Sequence, residues 1–185
     1  MRINLKPKAY IFPLPVLIIG TYDENNIPNA MTAAWGCVSD YQKVSIVIDK
    51  NHKTMKNILL NKEFSVSITN SDNAKYADYV GLISGNDVND KLIKTNWNII
   101  KSDIMNAPIF DKLPLCLLCK MENYDEEKEL LIGEVISISC DESILTNGKV
   151  DIVKLDPLCY DCENHGYYKI GKLVGKAFSI GSDVK

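Results

Sequence analysis

Three short stretches of this chain collect side chains able to hold a small polar ligand. The first is Pro28-Asn-Ala-Met-Thr-Ala-Ala-Trp-Gly36, small and polar where a strand is usually bulky. Asn29 and Thr32 supply hydrogen-bonding groups. Ala33, Ala34 and Gly36 keep the wall thin, so a flat molecule can approach main-chain N–H and C=O groups. The same composition suits a strand packed tightly against another element, and the segment alone leaves both readings open. The second stretch, Asp49-Lys-Asn-His-Lys-Thr-Met-Lys56, places His52, Lys53 and Thr54 where a helix begins. Backbone N–H groups and the positive end of the helix dipole favour an anion there, although a plain capped helix start would look the same. The third, Val80-Gly-Leu-Ile-Ser-Gly-Asn-Asp-Val-Asn-Asp-Lys91, breaks a helix at Ser84-Gly85 and runs through an acidic turn to Lys91.

Of the six cysteines, at positions 37, 116, 119, 140, 159 and 162, four form two CxxC pairs, 116/119 and 159/162. Paired CxxC motifs can build a tetrahedral zinc site, which makes a metal-binding module one functional hypothesis. Cys116 and Cys119, however, sit in an apolar run that reads as a strand, where residues three apart point to opposite faces. Cys116, Cys119 and Cys140 read better as small buried hydrophobes. Cys159 and Cys162 sit beside a polar loop containing His165, open to a dithiol or metal role and equally to none. The chain has two histidines, His52 and His165, and nothing arranged as a nucleophile–base triad.

The elements that must position these groups are mostly strands. Runs rich in β-branched and aromatic residues cover 16–22, 29–35, 44–49, 64–69, 115–121 and 130–139. A turn over 23–26 joins the first two as a hairpin. Ser and apolar residues alternate within 44–49 and 64–69, as in strands with one buried face. Val135, Ser137 and Ser139 alternate with Ile136 and Ile138. Met55, Ile58 and Leu59 share one helical face over 54–61, with Thr54 as N-cap. A second helix fits 73–82, capped by Ser71 or Asp72. Closely spaced strands with few helices point to a barrel or sandwich. Neither GxGxxG nor GxxxxGK[ST] occurs.

Composition narrows the function classes. A length of 185 residues suffices for one domain with a core that needs no disulfides, so the thiols are expected reduced. The net charge of −3 is mixed along the chain, a poor match for nucleic acid. No apolar run reaches membrane-spanning length, and no signal peptide is read at the start, so no membrane association and a cytoplasmic location are expected.

Taken in order, the motifs Asn29-Ala-Met-Thr-Ala-Ala-Trp35, His52-Lys-Thr54 and Ser84-Gly-Asn-Asp-Val-Asn-Asp-Lys91 resemble those of the flavin reductase-like family, including the flavoredoxins. Ile109 to Cys116, Ile132-Gly-Glu-Val135, Pro157-Leu158 and Tyr168-Lys-Ile-Gly171 extend the resemblance over nearly the whole chain. Asn89, before Asp90, is an extra residue in the third motif. The resemblance implies a mainly β fold, an antiparallel FMN-binding split β-barrel with a few short helices, as one domain over 1–185 that forms a homodimer. On the family pattern, Asn29, Met31, Thr32 and the backbone of Ala33, Ala34 and Trp35 would line the flavin. His52, Lys53 and Thr54 would hold its phosphate. Ser84 and Lys91 would approach the cofactor, in one arrangement from the partner subunit, with Tyr168 at the edge. Trp35 would stack on a ring or fill the core. The implied activity is flavin-dependent oxidoreduction, with NADH or NADPH as donor. The alternative is a non-enzymatic carrier that holds FMN and passes electrons to a redox protein partner.

Overall fold

The computed structural model describes residues 1–184. In chain order its strands begin with β1 (Leu14–Pro15), β2 (Leu17–Tyr22), β3 (Pro28–Ala33), β4 (Gly36–Asp40) and β5 (Lys43–Val47). Helix α1 (Lys53–Asn61), β6 (Glu63–Ile68) and helix α2 (Ala74–Leu82) follow. Then come β7 (Ile99–Lys101), β8 (Pro108–Phe110), β9 (Leu115–Asp125) and β10 (Leu130–Cys140). The chain continues through β11 (Leu145–Thr146), β12 (Lys149–Val150), α3 (Ile152–Leu155), β13 (Leu158–Asp161) and β14 (Gly166–Lys169). Seven strands form one antiparallel sheet in the order β3-β2-β6-β9-β10-β5-β4, and β1-β13-β14 form a smaller one. The expected mainly β split barrel is what the chain forms: the large sheet curls into a half-barrel, and its two edges, β3 and β4, are consecutive in sequence.

The apolar run of β2 has a direct cause. Leu17 and Ile19 enter one core cluster, with Phe64, Leu131 and the α1 residues Met55 and Ile58. Val16 and Ile18 enter another, with Val80, Trp97 and Phe110 beneath α2. Alternate residues of a strand face opposite sides, so a strand covered on both faces must be apolar throughout. The same double burial overturns the one-sided reading of residues 64–69. Ser65 and Ser67 are as buried as Phe64 and Val66. The Ser65 hydroxyl donates to the Pro108 carbonyl at 2.6 Å, which is how a polar residue is tolerated there.

Three further expectations change at their edges. The strand expected over 29–35 ends at Ala33, and Ala34-Trp35 turns the corner into β4, whose Gly-Cys-Val-Ser-Asp, exposed from Cys37 onward, carried no strand signal. Helix α1 starts at Lys53 with His52 as N-cap residue, so Thr54 is inside the first turn and buried, while Leu59 is exposed. Residues 71–73 form a 3-10 turn, and α2 starts only at Ala74 after Asn73, without a side-chain cap. The turn over 23–26 forms as expected: Asp23 Oδ1 accepts from the N–H of Asn25 at 2.9 Å and of Ile27 at 2.8 Å. Cys116 and Cys119 are buried, but Cys140, at the end of β10, is exposed. On β10 the alternation holds: Ile136 and Ile138 face outward, and Val135, Ser137 and Ser139 are half-buried. No helix among the described residues is long and apolar enough to cross a membrane.

The curl brings β10 close over β6. A Cβ on Gly133 would lie 2.5 Å from Cζ of the fully buried Phe64 ring. Gly133→Ala should therefore destabilise the fold by about 1–3 kcal/mol through overpacking. In urea denaturation the midpoint should fall with an unchanged slope.

Candidate functional site

Where the sheet edges diverge, the chain leaves a cleft of about 330 Å³. Its floor is Met31, Thr32 and Ala33 of β3 with the Ala34-Trp35 corner. His52 closes one end, Asp78, Gly81 and Leu82 of α2 form a side, and Tyr160 and Tyr167 from the β13–β14 hairpin form the far wall. Trp35 is 57% exposed, which removes the core-filling reading and leaves its ring free for a ligand. The corner's main chain is only partly used. The Ala34 carbonyl accepts from Gly36 N–H at 3.0 Å and the Trp35 carbonyl from Val47 N–H at 2.9 Å. Among the described residues, the N–H groups of Ala34 and Trp35 have no acceptor.

The start of α1 adds a second set of free donors. The His52 side chain makes no capping bond, and the first turn holds no acidic residue. The N–H groups of Lys53, Thr54 and Met55 are without acceptors among the described residues. Such orphan N–H groups, at the positive end of the helix dipole, make a ready anion site. Beneath them Asn29 Nδ2 donates to Thr54 Oγ1 at 2.8 Å, both residues being buried. The Thr54 hydroxyl, already accepting from Asn29, keeps its own proton free to donate. Lys53 is partly engaged by carboxylates, its Nζ lying 3.6 Å from Asp23 Oδ2 and 3.5 Å from Glu24 Oε2. Burial works against ionisation of Asp23, but the N–H groups of Ile27 and Asn25 and the Lys53 charge win and hold its carboxyl below the usual range.

The third motif is a support for these groups. A Cβ on Gly85 would fall 2.3 Å from Asn29 Oδ1 and 3.2 Å from Lys53 Cβ, so only a residue without a side chain lets this loop close over them. Asn86 locks the loop to α1 by accepting from Lys56 Nζ at 3.0 Å and donating to the Asn51 carbonyl at 3.0 Å. Ser84 is exposed and accepts from Asn86 N–H at 3.1 Å. Lys91 stands apart from the cleft. Its side chain is buried, and its Nζ donates to the carbonyls of Val80 at 2.9 Å and Ile83 at 2.6 Å, closing the C-terminal end of α2. Burial without a carboxylate partner pushes its pKa down to about 8. Thr32 likewise ties α2 to β3, its hydroxyl donating to the Ala77 carbonyl.

Tyr168 points away from the cleft and lines a separate cavity behind Tyr160. Its neighbour Tyr167 occupies the cleft wall, its hydroxyl donating to Asp78 Oδ1 at 3.0 Å. Burial and the Asp78 carboxylate raise the Tyr167 pKa to about 12. Sequence reasoning missed Asp78, Gly81, Tyr160 and Tyr167. The alternation of a strand would have separated Tyr167 from Tyr168, but nothing local showed which side met the cleft. Cys116 packs with Met105, Ala107 and Ile109, and Cys119 with Phe64 and Leu131, on opposite faces of β9, so they do not converge on one ion.

Fold and cleft together define a split β-barrel with an open cleft at its split. Residues 9–169 match the family described as flavin reductase like domain, and the chain belongs to that family. It is similar to a flavoredoxin of Desulfovibrio vulgaris (Miyazaki F), at 30% identity and a TM-score of 0.92 over 98% of this chain and all of that one. A flavoredoxin from Methanosarcina acetivorans is similar at 27% identity and a TM-score of 0.90, with both chains covered in full. The uncharacterized protein YddH of Escherichia coli (strain K12) is 28% identical over 142 residues, 73% of this chain and 75% of its own length.

The environment of Lys91 gives a signed pH effect. The unfolded chain binds its proton up to about pH 10.5, the folded chain only to about pH 8. Between these values the unfolded state holds more protons, so the Lys91 contribution to stability should increase with pH. In denaturation at pH 7, Lys91→Met should strand two helix-end carbonyls and cost about 1–3 kcal/mol. The gap between wild type and variant should widen from pH 8 to 10.5.

Proposed function

We propose that the cleft binds FMN and that the protein is a flavin-dependent oxidoreductase working as a single domain over 1–185, in the cytoplasm, as a homodimer. One observation carries the reading: the first turn of α1 offers unpartnered N–H groups beside a buried Thr54 hydroxyl, next to a thin-walled apolar cleft. That donor set fits a phosphate attached to a flat ring. Lys53, Thr54 and Met55 N–H, with the Thr54 hydroxyl, would hold the phosphate, and His52 would flank it. Asn29 would keep the Thr54 hydroxyl turned for donation. Met31, Thr32, Ala33 and Ala34 would form the floor under the ring, and Trp35 its open edge. The free N–H groups of Ala34 and Trp35 are donors for ring carbonyls. Ser84 and Lys91 would serve through the loop and helix end that they hold, with Tyr167 rather than Tyr168 at the wall.

When bound, the flavin supplies the redox chemistry, taking a hydride or single electrons and passing them on. The protein's part is to orient the ring, to exclude water along the Ala33–Ala34 floor, and to set dipoles where negative charge develops. The dimer reading rests on exposed apolar side chains at one end of the sheet. Val38 of β4 and Ile136 and Ile138 of β10 are among the exposed large hydrophobics and border one shallow depression. Pairing would cover both these side chains and a sheet edge.

The donor divides the reading in two. An NADH- or NADPH-oxidising reductase is one form. An FMN-holding carrier to a redox protein partner is the other, and the similarity to two proteins named flavoredoxins favours testing it. Anaerobic mixing with NADH, then NADPH, should bleach the flavin at once in the first form. In the second it should leave the flavin oxidised until a reduced redox protein is added.

Loading with FMN, followed by desalting, should leave a visible flavin spectrum on the protein. Thr54→Val, which keeps shape but loses the hydroxyl and strands Asn29 Nδ2, should weaken FMN binding about 10-fold. Thr54→Ser should restore most of it. A folded Thr54→Val protein with unchanged FMN affinity would overturn the phosphate assignment.

A further inference from the structure

Behind Tyr160 lies a second cavity, about 670 Å³ against about 330 Å³ for the cleft. We propose that it is a separate binding site for a flat, uncharged aromatic molecule of naphthoquinone size. Its walls are Tyr10 and Phe12 from the N-terminal arm and Tyr160 and Tyr168 from the β13–β14 hairpin. Tyr10, Phe12 and Tyr168 remain 42%, 52% and 56% exposed. Aromatic surface left uncovered and gathered round one hollow is a ligand-facing arrangement, and the volume lies within the range of small-molecule sites.

The charges about the hollow select the ligand class. Glu163 is paired with Lys8 and accepts from the Tyr10 hydroxyl at 3.0 Å. Lys169 Nζ donates to Asp156 Oδ2 at 2.8 Å. Asp161 accepts from Glu163 N–H at 2.9 Å and from Asn164 Nδ2 at 2.8 Å. Lys169, the one cation of the lining, is already paired, and Glu163 and Asp161 are acidic, so an anion would shed hydration without gaining a counter-charge, a cost that a neutral ring avoids. The surface links from Lys8 and Tyr10 to Glu163 also connect the arm to the hairpin. Tyr160 is a wall of both cavities, and its hydroxyl is held at 2.8 Å from His165 Nδ1. A ring bound here therefore sits one side chain from the cleft, and the site stands whether or not the cleft binds FMN.

The test is calorimetric titration of 2-methyl-1,4-naphthoquinone into the full chain, without and with saturating FMN. Saturable binding is expected under both conditions, with 2-naphthalenesulfonate at least about 10-fold weaker. Phe12→Ala should weaken quinone binding about 10-fold, and FMN retention should be unchanged. Gly171 lines the hollow, and a Cβ there meets nothing within 4 Å, so Gly171→Trp should project its ring into open space at the site and weaken binding about 10-fold. Three results would each overturn the proposal: no saturable binding, as when a second copy covers the hollow; equal affinity in folded Phe12→Ala and Gly171→Trp proteins; or competition by FMN, which would place the quinone in the cleft.

Discussion

The molecule is organised by one close approach at the corner between β3 and β4. Two residues, Ala34 and Trp35, separate the outermost strand on one side of the seven-stranded sheet from the outermost strand on the other. So short a link joins the two edges only if the sheet has curled until they nearly meet. Gly36 marks the tightest point: a Cβ there would stand 2.6 Å from Leu17 Cδ1 and 3.5 Å from the Ser45 carbonyl. Leu17 belongs to β2, beside one edge, and Ser45 to β5, beside the other, so this glycine is where the half-barrel closes on itself. The strands cannot pair across so tight a corner, and unpaired main chain is left facing a gap. Cleft and fold thus share one cause. The small residues of the first motif are required by the closure and at the same time leave a thin floor for a ligand.

That dual demand explains why the sequence was readable in parts. Long apolar strands announced themselves, since β2, β6 and the first half of β9 run through the core. The hairpin turn was readable because Asp23 makes its own local hydrogen bonds. Strand β4 was not, because Cys37, Val38, Ser39 and Asp40 are all exposed and lack alternation. Cys140 went wrong for a related reason: the end of β10 extends past β5, its partner on that side, and burial there cannot be inferred from the strand alone. Residue types in the site motifs were a better guide than roles. Thr54 reads as a cap and is a buried hydroxyl beneath the first turn. Lys91 reads as a residue that approaches the cofactor, and its amine holds the carbonyls at the end of α2. In each case the deciding partner, Asn29 or the carbonyls of α2, lies far enough along the chain to be invisible locally.

The outward-facing isoleucines of β10 carry a related lesson. Alternation identifies a strand, but it does not say which side meets the core. Here Ile136 and Ile138 are turned to the surface, while Ser137 and Ser139 face partly inward. Apolar residues in regular register on an exposed face are costly to a monomer and useful to an assembly. They extend the logic of the corner: a sheet that curls without closing leaves edges and faces that a second copy can cover.

The two helices beside the cleft show how the polar groups are divided. The N-terminal end of α1 is left without a capping side chain or an acidic residue, so its donors and its positive dipole end remain available. The C-terminal end of α2 receives the opposite treatment. Lys91 is buried to satisfy its carbonyls, and the amine sits opposite the negative dipole end despite the cost that lowers its pKa. One helix end is kept open and the other is closed with a cation, and the loop between Ile83 and Lys91 packs its Gly85 against Asn29 and Lys53 of the open end. In a chain whose net charge is −3, the open end of α1 thus offers its donors through oriented main chain rather than through a cluster of basic residues.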